Sequence, residues 1–164
     1  MGSPASVIET DHLTKQFADL RGVHDLSLRV PAGEVFGLLG PSGAGKTTTL
    51  RLLLDLVRPS AGRVSVLGES PASARVRARI GYVPADVVFE SRESVLSLLR
   101  GLDRARGGGG GALMRTLADR LDLDVTRRVR SLSPGNRRRL ALVQAFMHDP
   151  ELLLLDEPAS GLDT

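Results

Sequence analysis

Gly40-Pro41-Ser42-Gly43-Ala44-Gly45-Lys46-Thr47 decides the reading of this chain. It matches the pattern G-x-x-x-x-G-K-[ST] at every fixed position. Gly40, Gly43 and Gly45 permit backbone angles that turn successive N–H groups inward, which makes a cradle for an anion. Lys46 adds a mobile cation suited to β- and γ-phosphates, and Thr47 a hydroxyl suited to Mg2+. The flanks agree. Glu34 to Leu39 reads as a strand, and its mostly apolar end, Phe36-Gly37-Leu38-Leu39-Gly40, is typical of burial on both faces. After Lys46, the residues Leu50, Leu53, Leu54 and Val57 recur with helical spacing, which predicts an amphipathic helix stopped by Arg58-Pro59. The positive end of that helix would point at the same cradle. A nucleoside triphosphate with Mg2+ is the expected ligand.

A second apolar run supplies carboxylates. Leu152-Leu153-Leu154-Leu155 reads as a strand that ends in Asp156-Glu157-Pro158. Parallel sheets bind ligands beyond the carboxyl ends of their strands. There Asp156 can hold Mg2+, and Glu157 can accept a proton from an attacking water.

Before and between these runs the chain carries further strands and helices. Val7 to Thr10, Leu26 to Val30, Arg63 to Leu67 and Ile80 to Val83 read as short strands, with a turn at Pro31-Ala32-Gly33. The middle, about 93–132, reads as helical. Val95, Leu98, Leu99 and Leu102 form one face, and Leu113, Met114, Leu117 and Leu121 another. The run Gly107 to Gly111 between them cannot hold a helix, since each Gly costs ~1 kcal/mol relative to Ala. It is expected to be a flexible, length-tolerant surface link. Ser133-Pro134-Gly135 precedes a helix from about Asn136 to Met147, with Leu140, Val143 and Met147 on one face. Arg137, Arg138 and Arg139 read as its solvated end.

Composition excludes several alternatives. The chain has 164 residues, 41% hydrophobic and 25% charged, within the range of folded domains. It has no cysteine, so disulfides, thiolate metal sites and a Cys nucleophile are excluded. His12, His24 and His148 are too scattered for a metal-ligand set. Aromatics are 3%, too few for a base-stacking nucleic-acid surface. Only Lys15 and Lys46 among the 22 basic residues are lysines, and the net charge is +3. The pI of about 10.1 is inflated by arginine, which does not titrate until very high pH. Arginine in such excess reads as codon bias in a GC-rich genome, so no nucleic-acid partner is expected. Met1 to Leu13 carries Glu9 and Asp11 and lacks the apolar core of an export signal. No run approaches the ~18 apolar residues of a spanning helix, so the chain is expected in the cytoplasm.

Taken in order, these motifs resemble those of the ATP-binding-cassette (ABC) transporter ATPases. Gly40 to Thr48 is similar to Walker A, and Ile80-Gly81-Tyr82-Val83-Pro84 to the lead-in of the Q-loop. Leu132-Ser133-Pro134-Gly135-Asn136 is similar to the signature, Leu152 to Glu157 to Walker B, and Ser160-Gly161-Leu162-Asp163 to the D-loop. Leu13-Thr14-Lys15-Gln16-Phe17 sits where the family carries its adenine-stacking aromatic. The signature resembles that of bacterial multidrug and antibiotic exporters.

The resemblance implies an α/β fold: a P-loop NTPase core with a parallel sheet, an N-terminal antiparallel β subdomain and an inserted helical subdomain. It implies a β subdomain with P-loop core over 1–85, a helical subdomain over 86–135 and a return to the core over 136–164. ATP and Mg2+ are the implied cofactors. Gly40, Pro41, Ser42, Gly43, Ala44, Gly45, Lys46, Thr47 and Thr48 would bind nucleotide, with Thr47 and Asp156 on the metal and Glu157 catalytic. Phe17 would stack on adenine; alternatively it is a core residue. Two such domains, in a homodimer or with a paired second domain, would sandwich ATP, with Ser133, Gly135, Asn136 and Asp163 contributing across the interface. An integral membrane permease is the implied further partner, which would hold the chain at the inner face of the cell membrane.

The sequence departs from the family at Ala85, where a Gln is usual and where Asp86 could take over, and at Pro134, where a Gly is usual. Asn136 replaces a Gln conservatively. The family continues beyond the D-loop to a switch histidine, so a C-terminally truncated domain is expected, with ATP hydrolysis for an exporter as its function. A catalytically impaired nucleotide-binding module is the alternative, and an ABC protein acting on nucleic acid a further one.

Overall fold

The computed structural model describes residues 5–18 and 22–158. The chain divides into two compact units between Arg77 and Ala78.

In the first unit, strands β1 (Ser6–Gln16) and β2 (Gly22–Pro31) form an antiparallel sheet with β3 (Ala61–Val66), in the order β2-β1-β3. Strand β1 runs well past Thr10. The polar Asp11-His12 pair interrupts its apolar alternation, but a register shift between Thr10 and Leu13 absorbs it. His12 takes a left-handed φ of 49° there, and Leu13 re-enters the core fully buried. Leu13 and Val23 pack on Leu52 of helix α1 (Lys46–Leu53).

Helix α1 ends earlier than the Arg58-Pro59 stop predicts. Asp55 adopts a φ of 56°, and its N–H donates to the Leu52 carbonyl at 3.2 Å. The Leu56 N–H donates to the Arg51 carbonyl at 2.9 Å, which completes a Schellman motif. Asp tolerates the left-handed region, so it can close a helix where the apolar spacing still continues.

Residues 34–39 form no strand. Val35 is 104% exposed, Phe36 51% and Leu39 92%, so the expected burial on both faces is not present. A buried parallel strand needs partners along both edges and cover on both faces. Apolar composition alone supplies neither.

Helix α2 (Ala74–Ala78) spans the division between the units. In the second unit, β4 (Ile80–Val83) and β5 (Leu152–Leu155) pair in parallel, Ile80 opposite Leu152 and Val83 opposite Leu155. Arg79 donates to both carboxylate oxygens of Glu151 at 2.6 and 2.7 Å, which ties the two strand starts and holds the Glu151 carboxyl below its usual pKa.

Helices α3 (Val95–Ala105), α4 (Gly111–Arg120) and α5 (Pro134–Phe146) gather around Val95, Leu99, Met114, Leu140, Val143 and Met147, all buried. The buried face of α4 centres on Met114 and Ala118, with Leu117 and Leu121 at its margin. Gly107, Gly108 and Gly109 all have positive φ, as a link between helices would. Gly110 is not part of a loose tether. Its N–H donates to Asp103 Oδ1 at 2.8 Å, and a Cβ there would lie 2.5 Å from the Met147 carbonyl.

Candidate nucleotide site

The phosphate loop lies in the first unit. Gly45 caps α1 in a left-handed conformation, φ 88°. A Cβ on Gly45 would sit 2.5 Å from the Gly22 carbonyl oxygen, so the close approach of β2 excludes any larger residue. Gly43 also has a left-handed φ, 81°. The Ala44 N–H closes the loop onto the Pro41 carbonyl at 3.2 Å. Pro41, Ser42, Gly43 and Ala44 are exposed, and Thr47 and Thr48 are half-buried in the first turn of α1.

Thr49 anchors that turn: its N–H and hydroxyl both donate to the Gly45 carbonyl, at 2.8 and 3.0 Å. The Lys46 ammonium donates to the Gly40 and Pro41 carbonyls at 2.7 and 2.8 Å, which keeps the cation over the loop. Turn, helix terminus and cation thus share one spot, an arrangement suited to a polyphosphate. Phe17 is 42% exposed, with the Lys15 ammonium 5.4 Å from its ring centroid. The alternative of a core phenylalanine does not hold.

The carboxylates lie in the second unit. The Asp156 N–H donates to the Val83 carbonyl at 2.9 Å, so the β4–β5 pairing continues one step past the strands. Asp156 is 4% exposed, and its Oδ2 is buried without a hydrogen-bond partner among the described residues. Leaving a buried acceptor unmade costs about 1–3 kcal/mol, which suits a site built for an oxygen-seeking cation. Glu157 is exposed, with a φ of 48°. A left-handed conformation costs a non-glycine residue roughly 1–2 kcal/mol, so this turn carries strain. Ala85 is half-buried beyond β4, and Asp86 is exposed beside it.

The signature stretch opens α5. Helix α5 starts at Pro134, ahead of the expected Asn136. Ser133 is its N-cap, accepting from the Asn136 N–H at 3.3 Å. Pro134 occupies a first-turn position whose N–H would lack a helical partner in any case, so the proline fits the helix start. Gly135 and Asn136 follow, half-buried. Ser160 and Asp163 lie outside the described residues.

One functional candidate departs from the sequence reading. Arg138 is not part of a solvated helix end but is 3% exposed, and its guanidinium donates to backbone carbonyls following β4 and β5. The clue was helical phase: Arg138, Ala141 and Ala145 share the buried face of α5, which three adjacent arginines obscure.

Comparison with known proteins decides the family. The sequence pattern of the ABC transporter family matches residues 23–160. The chain belongs to the ABC transporter family. The family's export ATP-binding proteins include similar relatives. The Nod factor export ATP-binding protein I of Paraburkholderia xenovorans (strain LB400) is 44% identical over 170 residues, covering 98% of this chain and 55% of the relative. Its namesake from Rhizobium meliloti (strain 1021) is 42% identical, covering 98% of this chain and 50% of the relative. This chain thus spans about half the length of the curated relatives it matches. Among solved structures, an ATP-binding subunit of an ABC transporter superposes with a TM-score of 0.86 at 27% identity, covering 96% of this chain and 68% of that one. The ABC ATPase fold expected from the sequence is therefore present: an antiparallel sheet, a parallel pair and a helical region.

Proposed function

We propose that this chain binds and hydrolyses ATP as the ATPase part of an ABC exporter, driving transport through a separate membrane subunit. The observation that carries the reading is the loop from Gly40 to Thr47, where glycine conformations, a helix N-terminus and Lys46 meet. The names of the two relatives given above, both export ATP-binding proteins, support the direction of transport.

In this reading Gly40 to Thr48 hold the phosphates and Phe17 offers its open ring to the adenine. Asp156 and Thr47 are the residues assigned to Mg2+. Buried Asp156 Oδ2 fits that role, and a magnesium site drawing on one carboxylate plus substrate phosphates needs no larger acidic cluster. When bound, Mg2+ neutralises charge on the phosphate oxygens. Glu157 accepts the proton of the attacking water. Ser133, Gly135, Asn136 and Asp163 serve a second nucleotide-binding domain, either another copy of this chain or a paired homologue.

No helix among the described residues is long and apolar enough to cross a membrane. In this reading a separate permease supplies the path and keeps the chain on the cytoplasmic side. The division into 1–85, 86–135 and 136–164 is part of the same proposal. Ala85 favours a second reading, a module with little turnover, because its side chain has no polar atom to orient water.

Lys46→Ala tests the phosphate assignment. Loss of a charge-assisted contact should weaken ATP binding about tenfold or more, measured by titration with a fluorescent ATP. Unchanged affinity in a folded variant would refute it. Steady-state ATPase assay separates the two readings: turnover well above that of Lys46→Ala excludes the low-turnover module.

A further inference from the structure

We propose that Arg138 is a positioning residue for hydrolysis, a buried clamp that holds the main chain carrying Asp156 and Glu157. The proposal rests on the reading of Glu157 as proton acceptor. Guanidinium has five N–H donors. Here they go to five backbone carbonyls: Nη1 to Pro84 and Ala85, Nη2 to Asp156 and Glu157, and Nε to Pro158. The Nη2 bond to the Asp156 carbonyl is 2.6 Å and the Nε bond to the Pro158 carbonyl 3.3 Å. Two turns, one after β4 and one after β5, are thereby fastened to the same side chain near the start of α5.

Three features make this more than packing. First, a buried charge is costly unless hydrogen-bonded, and the neighbours of Arg138 on the same helix face, Ala141 and Ala145, show that small apolar residues suit that face. Second, these five bonds go to carbonyls and not to carboxylates, so Asp156 Oδ2 keeps its unpartnered state and Glu157 stays exposed. Third, Arg138 grips the carbonyls of residues 156, 157 and 158, on both sides of the left-handed φ of 48° at Glu157. Such a conformation persists only where the surroundings over-determine it. The guanidinium supplies that determination, and with it the direction in which the Glu157 side chain leaves the backbone.

The test compares Arg138→Lys, with three donors, and Arg138→Gln, with two, in the full chain, beside Glu157→Gln. A misplacement of about 1 Å can cost roughly a hundredfold in rate. Turnover should therefore fall about tenfold or more in Arg138→Gln and less in Arg138→Lys, with the KM for ATP within about twofold of the parent. The Mg2+ concentration for half-maximal binding of a fluorescent ATP, read without turnover, should rise in the same order. Lowered thermal stability with unchanged kcat and unchanged Mg2+ dependence would overturn the proposal and leave Arg138 a structural residue. If Arg138→Gln does not fold, Arg138→Lys decides by the same two readouts. Parental turnover in Glu157→Gln would instead sink the proton-acceptor reading, and the Mg2+ readout would then judge Arg138 by itself.

Discussion

Single residues fix the backbone around this site more than their chemistry advertises. Gly81 in β4 is one. A Cβ there would stand 2.2 Å from the Ala145 carbonyl oxygen and 2.6 Å from Leu153 Cδ2, because α5 lies directly against the strand. Gly81→Ala should lose about 1–3 kcal/mol, the usual cost of overpacking, seen as a lower denaturant midpoint. A midpoint equal to the parent would show that α5 can retreat. At this scale the sequence was most readable where a motif is contiguous. Gly40 to Thr47 declares itself because loop, cation and helix start are consecutive residues. Arg138 does not, because its partners, Pro84 to Ala85 and Asp156 to Pro158, are far away in the chain. A basic triplet looks uniform until the helix phase selects one member for burial.

Elements show the same division between local and tertiary causes. Strands β4 and β5 were legible as two short runs, though not their pairing with each other, and α3 from the recurrence of Val95, Leu98, Leu99 and Leu102. The ends of elements were less so. Asp55 closes α1 by a left-handed turn that the apolar spacing does not reveal, and the bulge at His12 hides the full length of β1. Beyond the end of α5, His148 Nε2 lies 3.2 Å from the Ile80 carbonyl oxygen, bringing the residue against β4. Burial lowers its pKa from the usual histidine value, and Arg106 adds to the effect; the Ile80 and Gln144 carbonyls and Asp149 oppose it. The folded state therefore binds a proton less readily than the unfolded one. Its contribution to stability is complete above the unfolded value of about 6.5 and is lost as pH falls through the lowered folded value. Between about pH 7.5 and about pH 5.5 the parent should lose more stability than His148→Gln. Equal losses in denaturant titrations would remove His148 from the account.

At the scale of the whole molecule, the two compact units should reveal themselves on unfolding. Tyr82, the single tyrosine, lies in β4 of the second unit, while backbone circular dichroism reports on both. The two signals should trace non-coincident unfolding curves in urea; coincident curves would mean one cooperative transition. The charge balance is also explained locally. Arg29, Arg63, Arg77, Arg79 and Arg139 each pair with an acidic side chain, so part of the basic composition is met within the fold. What sequence could not foresee at this scale is the open segment 34–39. Its peptide groups form no strand, Val35 and Leu39 are exposed, and Glu34 is the one charged residue within it. A short, nearly uncharged, exposed apolar stretch outside any sheet is a template for strand pairing between copies. For anyone handling the chain alone, protein concentration rather than temperature becomes the first limit on solubility, and turbidity should build from this segment while the phosphate loop is still intact.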